Sequence, residues 1–73
     1  MAKRSKDAVY RVIDVVGTSP TSWEDAARNA VKTASKSLRD LRIAEVVKLD
    51  VRVDNGKVTA FRTRLALSFK YED

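Results

Sequence analysis

The side chains able to do chemistry fall into two groups: the carboxylates Asp14, Glu45, Asp50 and Asp54, and the late cations Arg62, Arg64 and Lys70. Carboxylates are ligands for hard cations such as Ca²⁺ or Mg²⁺, which want several oxygens at once. These four are scattered, so each alone reads as solvated or ion-paired. Symmetry-related copies are what would gather them. The cations suit phosphate or carboxylate ligands, and intersubunit ion pairing competes with that reading. Acid–base or nucleophilic catalysis needs convergent reactive groups. The chain has no cysteine and no histidine. Ser19, Ser22, Ser35 and Ser37 therefore lack a base to activate them, and a zinc site lacks its usual ligands. Two glycines cannot build a phosphate-cradling loop. The expected protein is not an enzyme. The single tryptophan, Trp23, is either a stacking platform or a packing residue at the head of a helix. Its place on an alanine-rich stripe favours packing.

Seventy-three residues make one domain. With no disulfide available, association with other copies is the remaining staple for a core this small. The net charge is +5. Residues 1–7, read as a mobile basic tail, hold three basic residues and one acidic, or +2 of it. The domain, residues 8–73, is only mildly basic, so nucleic acid is not an expected partner. No run nears the ~18–20 apolar residues of a membrane span, and no apolar stretch follows the first basic residues as in a secretory signal. A cytoplasmic protein without membrane partners is expected.

The elements that must position these groups follow from pattern. Residues 8–16 are rich in β-branched residues and read as a strand ended by Gly17, apolar on both faces. A helix over 22–40 follows. Two capping registers are open, Thr21 to Glu24 and Ser22 to Asp25. Trp23, Ala26, Ala27, Ala30, Val31, Ala34, Leu38 and Leu41 recur at helical steps. Residues 42–53 and 57–71 read as strands joined by the Asp54-Asn55-Gly56 hairpin. In the last strand Phe61, Thr63, Leu65, Leu67, Phe69 and Tyr71 share one face; Arg62, Arg64 and Lys70 share the other. The fold class is α+β, with β-α-β-β order. A helix over 22–40 spans about 28 Å, and a strand over 57–71 about 50 Å. The uncovered end, carrying Phe69 and Tyr71, predicts an oligomer whose strands extend onto neighbours.

The stretches V-V-G-T-S-P-T-S-W-E-D-A-A-R-N-A-V, L-R-I-A-E-V-V and L-A-L-S-F-K-Y-E together resemble the dodecin family, from about Val9 to Glu72. The resemblance implies a three-stranded antiparallel sheet wrapped around one helix, twelve subunits in a hollow homododecamer, and sheets facing inward. It implies flavin binding and storage (riboflavin, FMN or FAD) rather than catalysis. In such proteins the isoalloxazine stacks between tryptophans of two-fold-related subunits, and a glutamine hydrogen-bonds the ring. The positions matching the tryptophan and the glutamine are Ile43 and Arg62. Isoleucine offers no π-face for stacking, and arginine offers no carbonyl acceptor. A branch without the tryptophan is calcium dodecin, which Ile43 resembles. The resemblance thus implies a non-enzymatic small-ligand storage shell with weakened or lost flavin binding. The alternatives are a flavin dodecin with a rearranged site and a calcium- or ion-binding shell. Glu45, Asp50, Arg64 and Lys70 are the candidate ligand or ion contacts, and no metal ligand set is assigned.

Overall fold

The computed structural model describes residues 9–70; the basic tail expected over 1–7, and Tyr71, lie outside the described residues. Strand β1 (Tyr10–Ser19) leads into helix α1 (Trp23–Ala34), followed by strands β2 (Leu41–Asp54) and β3 (Lys57–Lys70). The sheet order is β1-β3-β2 and both pairings are antiparallel. This is the expected α+β subunit, one three-stranded sheet curled around one helix.

Gly17 does not end β1. The strand runs on to Ser19, with Gly17 paired to Thr63. Glycine is required there by close approach, because a Cβ would collide with the Ala26 carbonyl oxygen and stand 2.8 Å from the Ala30 Cβ.

Of the two capping registers, the second is adopted. The Ser22 hydroxyl oxygen accepts from the Asp25 N–H at 3.0 Å. Thr21 instead donates its N–H to Ser19 Oγ at 2.9 Å, and Ser19 Oγ–H donates to the Asp25 carboxylate at 2.7 Å. The nearly buried Ser19 is thus a satisfied link between β1 and the helix start. Ser22→Ala is expected to cost about 1 kcal/mol as a lost N-cap, whereas Thr21→Ala is close to neutral. Paired thermal melts check the difference.

The helix ends at Ala34, short of residue 40. Its apolar stripe continues because Leu38 and Leu41 pack on the same core from the loop beyond and from the start of β2. Asp40 then adopts φ 54, a left-handed conformation that Asp tolerates better than most residues, and this aims the chain into β2. Leu65, Leu67, Ala26 and Ala30 form the buried centre. Thr63, wholly buried, donates its hydroxyl to the Trp23 carbonyl at 2.9 Å. The small alanines let the helix lie close against β1 and β3.

The turn between β2 and β3 places Asn55 at φ 51 and Gly56 at φ 76, the left-handed pair of a tight hairpin. A helix of 12 residues covers about 18 Å, against about 46 Å for strands of 14 residues. The bare end differs from the expected one. Phe69 is half-buried opposite Leu41 and Arg11. The hairpin is the part left uncovered, with Val53 and Val58 both exposed. The helix also leaves the near side of β2 open, so Val46 and Leu49 are about half exposed.

Candidate functional site

Residues directly paired across an antiparallel ladder share a face. Since Thr63, Leu65 and Leu67 are buried under the helix, Arg62, Arg64, Ala66, Ser68 and Lys70 point to the other, open face. Pairing extends this face into rows: Val12–Ser68–Ile43, Asp14–Ala66–Glu45, Val16–Arg64–Lys48 and Thr18–Arg62–Asp50. Lys70 closes it opposite Tyr10. All six candidate contact residues of the sequence therefore lie on one face. They do not all meet. Ile43 and Arg62 are six β3 positions apart, about 20 Å at 3.3 Å per residue, so one small ligand touches both only if two subunits contribute.

Two irregularities of β2 decide this placement. Leu41 pairs with Phe69 and Ile43 with Ser68, skipping Arg42. Val46 pairs with Leu65 and Lys48 with Arg64, skipping Val47. Each extra residue is a bulge that re-aims the following side chain. The first turns Ile43 to the open face, where it is 56% exposed. The second brings Lys48, absent from the sequence-derived candidates, opposite Arg64. The adjacent valines 46 and 47, breaking an alternating pattern, were the available signal.

Asp50 and Arg62 are brought together. Arg62 Nε donates to Asp50 Oδ1 at 2.7 Å and its NH2 group to Oδ2 at 3.1 Å, a two-pronged pairing. The hydrogen bonds from Arg62 hold the Asp50 carboxyl below its ordinary 3.8 against the opposing effect of burial, with the charges of Arg62, Lys48 and Arg64 adding to the lowering. Hydrogen bonding to Asp50 in turn raises Arg62. A depressed carboxyl favours the fold above its unfolded pKa, and that contribution is lost as pH falls through the folded value. The Asp50 carboxyl carbon is thus expected to titrate below 3.8 in an NMR acid titration, and Arg62→Gln returns it toward that value.

Asp50 is anchored from behind as well. The Trp23 indole Nε1–H donates to the Asp50 carbonyl at 3.0 Å, and Trp23 stands edge-on to Phe61 with ring centroids 5.1 Å apart. Trp23 is the packing residue its position predicts. It lines an apolar recess of about 270 Å³ with Ala27, Val46 and Leu49, on the side away from the open face.

Ile43 presents no aromatic face on the open side, and two nitrogens of the Arg62 guanidinium are bonded to Asp50. The donor set for calcium is incomplete within one chain. Asp14 and Glu45 flank Ala66 without entering an ion pair among the described residues, but two strand spacings separate their backbones by about 10 Å. No group of three or more His, Cys, Asp or Glu side chains able to hold a metal occurs among the described residues. A calcium ion wants six to eight oxygens, so its sphere would draw on more than one subunit.

A sequence profile for dodecin matches residues 9–72. The chain belongs to the dodecin family. Its sequence is 53% identical over 64 residues to the calcium dodecin of Mycobacterium tuberculosis strain ATCC 25618 / H37Rv, covering 86% of this chain and 89% of that protein. The crystal structure of that calcium dodecin, described as a calcium-chelating immunodominant antigen with a novel calcium-binding site, superposes with a TM-score of 0.78 at 51% identity, covering 88% and 91% of the two chains. Dodecin from Streptomyces coelicolor superposes with a TM-score of 0.88 at 39% identity, covering 94% and 99%. Dodecin from Streptomyces davaonensis gives 0.84 at 31% identity, covering 92% and 98%. The β-α-β-β order and antiparallel sheet are therefore those of a dodecin subunit. No helix among the described residues is long and apolar enough to cross a membrane.

Proposed function

We propose that this dodecin is a non-enzymatic small-ligand binding and storage protein, assembled as a hollow homododecamer, in which flavin binding is weakened or lost. The observation that carries the reading is Ile43, turned to the open face by a bulge, with Ser68 beside it and Val12 beyond in the same row. A flavin entering there meets aliphatic groups, without the stacking gain of ~0.5–1.5 kcal/mol per aromatic pair beyond area burial. The Asp50–Arg62 pairing supports the same reading, since it removes a free hydrogen-bonding edge from the position matching the glutamine.

Titration of riboflavin and FMN, followed by flavin fluorescence, tests it. Quenching at submicromolar protein would overturn the reading in favour of a rearranged flavin site. Ile43→Trp is expected to raise flavin affinity, because two symmetry-related indoles together supply about 1–3 kcal/mol, or about 5- to 150-fold. An unchanged titration curve would show that the site lost more than its aromatic.

The carboxylates Asp14 and Glu45 on the same face, in no ion pair among the described residues, favour calcium as a second reading. Identity with a calcium dodecin gives it further support. Isothermal titration with Ca²⁺ that produced neither heat nor a rise in melting temperature would remove it.

A further inference from the structure

Arg64 and Lys48 are directly opposed on the open face, and both are exposed. Directly opposed side chains have Cβ atoms only about 4.5–5.5 Å apart, and like charges so placed destabilise a sheet. The bulge at Val46–Lys48 creates the conflict. In a regular ladder Val47 would have faced Arg64, and Lys48 would have turned to the helix side.

Among the described residues neither cation forms an ion pair, although the Asp50 carboxylate lies near enough for both charges to act on it. Asp50, in the next row, spends both carboxylate oxygens on Arg62. Glu45 and Asp14, one row the other way, form no ion pair among the described residues with either cation. Lys48, Arg62 and Arg64 share the carboxylate of Asp50 within two adjacent rows, and the other carboxylates of this face, Asp14 and Glu45, stand one row beyond Arg64.

We propose that Arg64 and Lys48, set face to face by the β2 bulge, form a seat for the phosphate group of a small phosphate-bearing ligand on the open face of the sheet. The guanidinium supplies a planar fork of donors, and the ammonium a compact charge that swings to meet it. A multiply charged phosphate neutralises both cations at once, which a monocarboxylate cannot. The proposal goes beyond the storage reading and needs no ring-binding surface.

The test is calorimetric titration of the intact full-length protein with inorganic pyrophosphate, which has no ring for Ile43 to accept or refuse. Binding is expected, weakening as salt rises. The double variant Arg64→Gln/Lys48→Gln is expected to lose at least about tenfold in affinity, since hydrogen bonds to charged groups are the stronger kind. Its melting temperature should hold or rise as the repulsion disappears. Should the double variant fold poorly, the exposed single substitution Lys48→Met reports the same loss. Three results would overturn the proposal: no binding by the unaltered protein, equal binding by the variants, or a fall in the variants' mass in solution, which assigns the cations to ion pairs between copies. Equally tight binding of citrate would overturn the assignment to phosphate. None of these outcomes depends on whether flavin binds.

Discussion

Gly17→Ala is expected to lower the melting temperature by about 10 °C or more, or to prevent folding, from an overpacking cost of ~1–3 kcal/mol or greater at ~4–8 °C per kcal/mol in a domain this small. The new methyl group would meet backbone, the Ala26 carbonyl oxygen, together with the Ala30 Cβ. Neither can swing away as a flexible side-chain end would. Relief requires the helix to lift off β1, which uncovers Leu65 and Leu67. Gly56→Ala makes the contrast. It sits in open space but at φ +76, so its cost is conformational strain of about 1 kcal/mol. Thermal melts at matched protein concentration separate the two glycines. Equal effects would show that the helix yields freely at Gly17.

The second large effect is on the proposed assembly. Leu49→Glu is expected to reduce the mass in solution from the about 98 kDa that the proposed twelve copies of an 8.2 kDa chain would have to that of small species, since an unpaired charge in an apolar contact costs several kcal/mol. Leu49 and Val46 lie on the side of β2 that the short helix leaves bare, beside Trp23 and Ala27. Lone exposed aliphatics are ordinary, but here a contiguous apolar recess joins the helix to β2. Lys36→Glu, on the exposed turn after the helix, serves as the control and should leave the mass unchanged. Light scattering reads both. A Leu49→Glu protein of unaltered mass would remove this recess from the interface.

The element order along the chain, the hairpin and the inward face of β3 were legible because each rests on local chemistry. Asn55 and Gly56 tolerate left-handed backbone, and Thr63, Leu65 and Leu67 alternate cleanly with charged or small residues. Gly17 was misread as a strand end because local propensity says nothing about a helix packed against that spot. Helical spacing overstates the helix length because Leu38 and Leu41 keep that spacing while packing from the loop and from the start of β2. The candidate site was legible in composition but not in arrangement. Ile43, Glu45, Asp50, Arg62, Arg64 and Lys70 do share a face. The partners within it, Asp50 with Arg62 and Lys48 with Arg64, depend on the register of β2. That register shifts at three places, skipping Arg42 and Val47 in β2 and Thr59 in β3, and their positions follow from pairing across strands.

Trp23 gives the molecule an optical consequence of its own. Its indole N–H holds the Asp50 carbonyl from one side of β2, while the Asp50 carboxylate meets Arg62 on the other. One emitter per chain, one residue's thickness behind the open face, makes ultraviolet fluorescence a label-free gauge of occupancy there. A colourless anion would register as a change in indole emission through the Asp50 backbone. A flavin, absorbing where indoles emit, would quench the same light by energy transfer.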